Sequence, residues 1–233
     1  MDYKVDSIPH SQTYEWLMYK HYAHRIPSIS YSFGLFDDNA HIVGICTFGR
    51  PMAHILIKNA FNGLYQDNFL ELNRLCVNDG LPKNTLSYFV SQCLKKLPSP
   101  MVVVSYADTS MNHHGYIYQA TNWLYTGLSA PFKDYMVKGM EHLHGSSVMD
   151  SVGRSDGENG HIDKVKLLKE KYGEDNVYMV ERPRKHRYFY LIGSKTQIKS
   201  MRKALIYPIV PYPKGDNQRY DASYKPNIQL SLF

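Results

Sequence analysis

Three stretches of the 233-residue chain concentrate side chains able to move protons or hold charge. They are His21-Tyr22-Ala23-His24-Arg25, Glu71-Leu72-Asn73-Arg74-Leu75, and Ser105-Tyr106-Ala107-Asp108 with the polar and aromatic run 112–123 behind it. The third stretch continues from Met101-Val102-Val103-Val104, an apolar run suited to a strand covered on both faces. Polar groups at the carboxyl end of such a strand stand where open α/β sheets place ligands. Asp108 is there the first candidate for a general base, with Ser105 and Tyr106 beside it. Glu71 and Arg74 are three residues apart, so a regular strand would point them to opposite faces. A bulge, a device frequent next to active sites, would turn both toward one cleft. Arg74 could then grip an anion through two parallel hydrogen bonds. His21 and His24, at i and i+3 of a helix, could join Asp108 as ligands of iron or another divalent metal. The same residues have plainer uses: Asp108 as a helix N-cap, Glu71 and Arg74 as an ion pair, Ser105 and Tyr106 as strand-end groups, and the histidines as core or surface residues.

The elements that must position these groups are legible in the periodicities. Residues 11–25 read as a helix with Ser11 as N-cap and Tyr14, Leu17, Met18 and His21 on one face. The alternation of Ile29, Tyr31, Phe33 and Leu35, the turn Asp37-Asp38-Asn39 and a second alternation over 41–48 predict an antiparallel hairpin. A third strand spans 69–77. Leu86, Phe89, Val90, Cys93, Leu94 and Leu97 then repeat at helical spacing, the cleanest pattern in the chain, and Pro98 closes it. A strand from 101, a helix over about 113–121 and a strand from Trp123 follow. Strand–helix–strand over 69–104 demands a parallel pair, so the fold class is α/β with a mixed sheet.

A glycine-marked loop occupies 138–163. Beyond it come a helix over 164–172, a hairpin formed by 177–180 and 187–192, and a Ser194-capped helix. The expected organisation is a catalytic core over 1–137, the loop, a basic α+β extension over 164–214, and a tail over 215–233.

Composition narrows the function. The net charge is +6, the hydrophobic share is 43% and there are three cysteines. That allows a packed core, gives no disulfide framework and suits a reducing cytoplasm. No stretch approaches the roughly 18 apolar residues of a membrane helix, and the N-terminus has no secretory h-region. The segment 182–203 holds eight Lys/Arg and no Asp/Glu. Arg184, Lys185, Arg187, Lys195, Lys199, Arg202 and Lys203, interleaved with Tyr188, Phe189 and Tyr190, point to a polyanionic partner such as nucleic acid.

The 69–127 order of strand, helix, strand, helix and strand resembles the core of the GNAT acyltransferase fold. Tyr118, followed by Asn122-Trp123, resembles the tyrosine on that fold's last helix, which implies Tyr118 as the general acid. More specifically, Glu71-Leu-Asn-Arg-Leu75, Pro82-Lys-Asn-Thr85, Val104-Ser-Tyr-Ala-Asp108, His114-Gly-Tyr-Ile-Tyr118 and Thr47-Phe-Gly49 resemble the phage Mom proteins, over roughly 14–130 and more loosely to about 214. The resemblance implies a transferase that hypermodifies adenine N6 in double-stranded DNA, giving N6-methylcarbamoyladenine and shielding phage DNA from host restriction. It implies that Tyr116 stacks on an extruded adenine, that Asn122 reads its edge, that His24 and Arg25 touch the DNA, and that the host cytoplasm is the place of action. The other readings are a GNAT-like N-acyltransferase of an amino acid, peptide or tRNA, and a non-catalytic nucleic-acid-binding protein. The segment Asn78-Asp79-Gly80-Leu81-Pro82-Lys83-Asn84 departs from the GNAT pyrophosphate loop. It has one glycine, and an acid and a proline stand where backbone amides should face phosphate. A coenzyme A thioester therefore has no recognisable cradle, and the donor is left open.

Overall fold

The hydrophobic periodicities are converted into one large sheet with helices on its faces. The computed structural model describes residues 3–143, 145–153 and 163–215. Its elements are β1 (Lys4–Ser7), β2 (Tyr31–Phe36), β3 (Ile42–Gly49), α1 (His54–Asn59), β4 (Phe69–Val77), α2 (Thr85–Lys96), β5 (Met101–Asp108), α3 (Tyr116–Ala120), β6 (Leu124–Leu128), β7 (Phe132–Val137), α4 (Gly145–Asp150), α5 (Lys164–Tyr172), β8 (Val177–Arg182), β9 (Lys185–Ile192) and α6 (Lys195–Ala204). The chain divides into two compact units, one of residues 1–128 with 185–233 and one of Ser129–Arg184.

In the first unit seven strands lie in the order β1-β2-β3-β4-β5-β9-β6. All neighbours are antiparallel except β4 and β5, which run parallel as the intervening helix requires. The fold is the mixed α/β arrangement expected. Helix α2 buries Phe89, Val90, Cys93 and Leu94 against one face, packing with Leu70, Leu72 and Val103. Each such side chain contributes about 1.5–3 kcal/mol. The opposite face carries Phe69, Val102, Val104 and Phe189, covered by Leu56 and Ile57 of α1 and Met201 of α6. Helix α6 opens with a capping box between Ser194 and Gln197, which satisfies the orphan amides of its first turn.

The second unit pairs β7 with β8 and packs Val137, Val148 and Leu168 into its own small core. Asp163 caps α5 by accepting hydrogen bonds from the Val165 and Lys166 amides.

Two expectations change. Segment 11–25 is not one helix: a 3₁₀ turn over His10–Thr13 and a single π-helical turn over Trp16–Lys20 end at His21, whose backbone is extended. The expected hairpin of 177–180 with 187–192 does not form. β8 pairs with β7, while β9 is inserted between β5 and β6 as an interior strand of the large sheet. Its Tyr188 and Phe189 are fully buried, so this stretch supplies core and not a basic tip. The glycine loop keeps a short helix, α4; Gly157 and Gly160 in it, and the tail from 216, lie outside the described residues. Among the described residues no helix is long and apolar enough to cross a membrane.

Gly49 faces Glu71 across the β3–β4 ladder. A Cβ there would collide with the backbone carbonyl of Ser28 and come within 2.9 Å of Asn73 Nδ2. Gly49→Ala is expected to destabilise by about 1–3 kcal/mol, read as a lower urea midpoint, because backbone cannot yield as a side chain can.

Candidate active site at the fork between two strands

The parallel ladder of β4 and β5 holds for three residue pairs, Phe69 with Val102, Leu70 with Val103 and Glu71 with Val104, and then stops although both strands run on. Two strands that diverge without pairing leave a fork between them. Ser105 bridges it: its hydroxyl donates to the Leu72 carbonyl at 2.8 Å. The Ser105 and Tyr118 hydroxyls lie 2.7 Å apart. A serine hydroxyl has a single hydrogen, so with that hydrogen on Leu72 it is Tyr118 that donates in this pair.

Strand alternation sorts the remaining groups. Ser105 and Ala107 point to the α2 face together with Tyr118, whereas Tyr106 and Asp108 point to the face of Val104 and Phe189. Glu71, opposite Val104, shares that second face. The β3–β4 register slips between Thr47 and Phe48, which pair with Arg74 and Leu72 and leave Asn73 as the extra residue of a bulge. The bulge turns Arg74 to the side of Glu71, as the spacing required. Asn73 is fastened in the bulge by accepting from the Thr47 hydroxyl at 2.6 Å and donating to the Ser28 carbonyl at 2.9 Å.

On the Glu71 face the electrostatics are uneven. Burial pushes the Glu71 carboxyl up to about 7, against the pull of the Arg74 and Lys185 cations. Burial also works against the Asp108 carboxylate, but the Lys185 ammonium at 2.7 Å and the hydroxyl and amide of Ser110 more than offset it, so Asp108 lies below the usual carboxylate range. Asp108 is the N-cap of the 3₁₀ turn over Thr109–Met111. A strongly held anion is a weak base, whereas a carboxyl that titrates near neutrality is matched to proton abstraction at cellular pH. The two carboxyls thus differ in kind: burial raises Glu71, and the Lys185 and Ser110 partners lower Asp108.

Arg74 donates through Nη1 to the Asn73 carbonyl at 2.7 Å and through Nη2 to the Arg25 carbonyl at 3.4 Å. Its Nε is buried with no hydrogen-bond partner among the described residues. Burial lowers its pKa, and the neighbouring Tyr22 and Glu71 oppose that shift. Tyr106 and Tyr118 are both raised above the ordinary phenol value, first by burial. Both stay protonated through the neutral range.

Tyr22 is the residue that sequence reasoning left without a role. Its ring stacks on His21 at 4.5 Å and meets His113 edge-on at 6.4 Å. Burial raises its pKa, Asp108 adds to that and Arg74 opposes it, which places the phenol among these groups. The signal available was its position between two histidines in a stretch already rich in polar groups. Lys185, expected at a phosphate, is instead the ion-pair partner of Asp108, set opposite it by the β5–β9 register.

The proposed metal set does not assemble. Among the described residues no group of three or more His, Cys, Asp or Glu is arranged to hold a metal ion. His21 is buried and accepts the Ala23 amide hydrogen on Nδ1. Its pKa is pushed down to about 3 by burial and then by Arg74, so the ring is neutral. His24 is exposed, and its Nδ1 meets the Met18 carbonyl at 2.7 Å.

The other candidates scatter. Arg25 is half-buried, and Tyr116 and Asn122 are exposed. Arg184 belongs to the second unit, where Nε donates to the Ser129 carbonyl. Lys195, Lys199, Arg202 and Lys203 are exposed on α6. Arg187 is a correction. It is buried, donates to the Thr126 hydroxyl at 2.9 Å and carbonyl at 3.2 Å, and lies 3.5 Å over the Tyr207 ring. It holds the framework and cannot reach a phosphate. Arg187→Ala is expected to cost about 2–4 kcal/mol in urea unfolding, through lost hydrogen bonds and cation–π contact.

At the fork a carboxyl raised by burial thus lies on one face of the sheet and the Tyr118 phenol on the other. The chain has structural likeness to a putative acetyltransferase of Acinetobacter baylyi (8% identity, TM-score 0.44, covering 82% of this chain and 92% of that one) and to the spermidine N-acetyltransferase SpeG of Vibrio cholerae (8%, TM-score 0.43, 87% and 98%). The chain belongs to the Mom protein family, which it matches over residues 2–214. It is 27% identical over 208 residues to the methylcarbamoylase Mom of Escherichia phage Mu, covering 84% of this chain and 77% of that protein.

Proposed function

We propose that this protein is a DNA-modifying transferase that attaches a methylcarbamoyl-type group to the N6 amine of adenine in duplex DNA, acting in a host cell to shield phage DNA from restriction. Family membership supports the reaction class, and the observation that carries the chemistry is the place of Glu71, where the β4–β5 ladder ends and the bulge brings Arg74 to its side, with its carboxyl pushed up to about 7 by burial. An exocyclic adenine amine is a poor nucleophile because its lone pair is delocalised into the ring, so proton removal must accompany attack. In the reaction the amine nitrogen bonds to the electrophilic carbon of the donated group, and the bond from that carbon to the leaving group breaks. The amine proton goes to Glu71. Tyr118, on the other face of the sheet and donating to Ser105, is our candidate source of a proton for the leaving group. Arg74, whose buried Nε has no hydrogen-bond partner among the described residues, is our candidate to neutralise negative charge on the donor.

The target base must leave the stack to reach this site, at a cost of a few kcal/mol. The exposed cations Lys195, Lys199, Arg202 and Lys203 of α6, none in an ion pair among the described residues, would grip flanking phosphates in this reading.

Neither cofactor weighed from the sequence fits the residues present. The loop after β4 carries Asp79, 3.8 Å from the buried Lys20 ammonium, which also donates to Asn78 Oδ1. An anchored carboxylate and a single glycine are a poor cradle for a pyrophosphate. The metal ligands are not brought together, as described above.

Nucleoside mass spectrometry of plasmid DNA from expressing cells tests the reading. A deoxyadenosine of increased mass is expected. Unchanged nucleosides beside an acylated protein or tRNA would establish the N-acyltransferase reading in its place.

A further inference from the structure

After α6 the chain runs back along the free edge of β6. The Val210 amide donates to the Tyr125 carbonyl at 3.0 Å, and the Tyr212 hydroxyl donates to the Trp123 carbonyl at 2.7 Å. Between this segment and β6 lies a pocket of about 250 Å³. Its walls are apolar and aromatic, among them Leu124, Ile209, Pro211 and Tyr212. Only two of its lining side chains carry an amide or a charge, Asn122 and Arg202. Both are exposed, and neither side chain has a hydrogen bond or ion pair among the described residues. Asn122 is held at φ +61°, in the left-handed region.

The chemistry of this lining selects its occupant. An apolar and aromatic lining with one amide and one guanidinium suits a nucleotide, with the base against the apolar walls and the phosphate on the cation. The volume falls below the range of about 300–1,000 Å³ usual for drug-sized ligands, which suits a single base better than a larger ligand. Arg202 also belongs to the cationic row of α6, so a phosphate backbone following Lys195 and Lys199 is delivered to this pocket.

We infer that the β6-edge pocket is a nucleotide subsite separate from the fork: it holds one splayed base of the bound strand, with Asn122 on the base edge and Arg202 on its phosphate. The inference rests on the DNA reading above and adds a second binding position to it.

The two tryptophans make the test direct. Both indoles are buried, but Trp123 is a residue that lines the pocket, whereas Trp16 sits in a separate cluster. Nitrogen-edited NMR of full-length protein titrated with a single-stranded tetradeoxynucleotide should shift the Trp123 indole signal and leave that of Trp16 in place. Asn122→Gly, which keeps the left-handed backbone, and Arg202→Gln should each weaken tetranucleotide binding at least about fivefold and suppress the shift. Oligonucleotide binding and adenine modification with a silent Trp123 signal, or with both variants at wild-type affinity, would overturn the subsite and leave the DNA reading intact. A protein that binds no oligonucleotide would overturn both.

Discussion

Glu71→Gln should lower the rate of modification by about 10²–10⁴-fold, the usual worth of a positioned general base, while the protein stays folded and binds DNA as before. Glutamine keeps the shape and cannot take the proton. Wild-type kcat/KM should rise with pH through about 7, where the Glu71 carboxyl ionises, and residual activity of the variant should lack that step. The same substitution should make the fold more stable at alkaline pH. Glu71 has an ordinary value of 4.5 and titrates near 7 when folded, so it binds its proton more tightly in the native state. Its contribution is fully present below 4.5 and is lost as pH rises through 7. Burying the anion then costs about 3 kcal/mol, which the neutral glutamine avoids. A dead enzyme that unfolds at higher urea than wild type at pH 8 is a signature that loss of a purely structural glutamate would not give.

Asp108→Asn separates the two carboxylates. Asparagine can still cap the 3₁₀ turn but loses the ion pair with Lys185, so a smaller loss than that of Glu71→Gln is expected. The reverse order of effects would return the base to Asp108.

The second large effect concerns α6. Lys195→Glu with Lys199→Glu should lower affinity for duplex DNA by on the order of 10²-fold and flatten the salt dependence, reducing the slope of log K against log salt by about 2. Both residues are exposed on the side of the helix opposite buried Met201, so the fold should tolerate the change. Filter binding across a range of salt concentrations reads both quantities. An unchanged slope would mean that the phosphates are held elsewhere.

What could be read from the sequence divides by the distance over which each feature is specified. Helix α2 was legible because Leu86 to Leu97 repeat at a local period, and the parallel β4–β5 pair followed because a helix joins the two strands. The bulge at Asn73 is visible in no propensity; it followed only from requiring Glu71 and Arg74 to face one cleft. The place of β9 was not legible, because its partners in β5 lie about eighty residues earlier and no local signal distinguishes a hairpin arm from an inserted strand. Arg187 and Lys185 were misread for that reason: both are cations by type, yet the register buries one and pairs the other with Asp108. One part could have been counted. Residues 105 and 108 have opposite parity on a strand, so Ser105 with Tyr118 and Asp108 with Tyr106 had to lie on different faces. The raised Glu71 carboxyl and the lowered Asp108 carboxyl come from burial and from partners distant in the chain, which composition does not encode.

Tandem mass spectrometry of nucleosides from duplex DNA incubated with cell extract and either wild-type protein or Glu71→Gln tests the central claim most directly. Wild type should yield a deoxyadenosine whose fragment ions place the added group on the exocyclic nitrogen, and the variant should yield almost none. Equal yields from both proteins, or a modified base other than adenine, would contradict it.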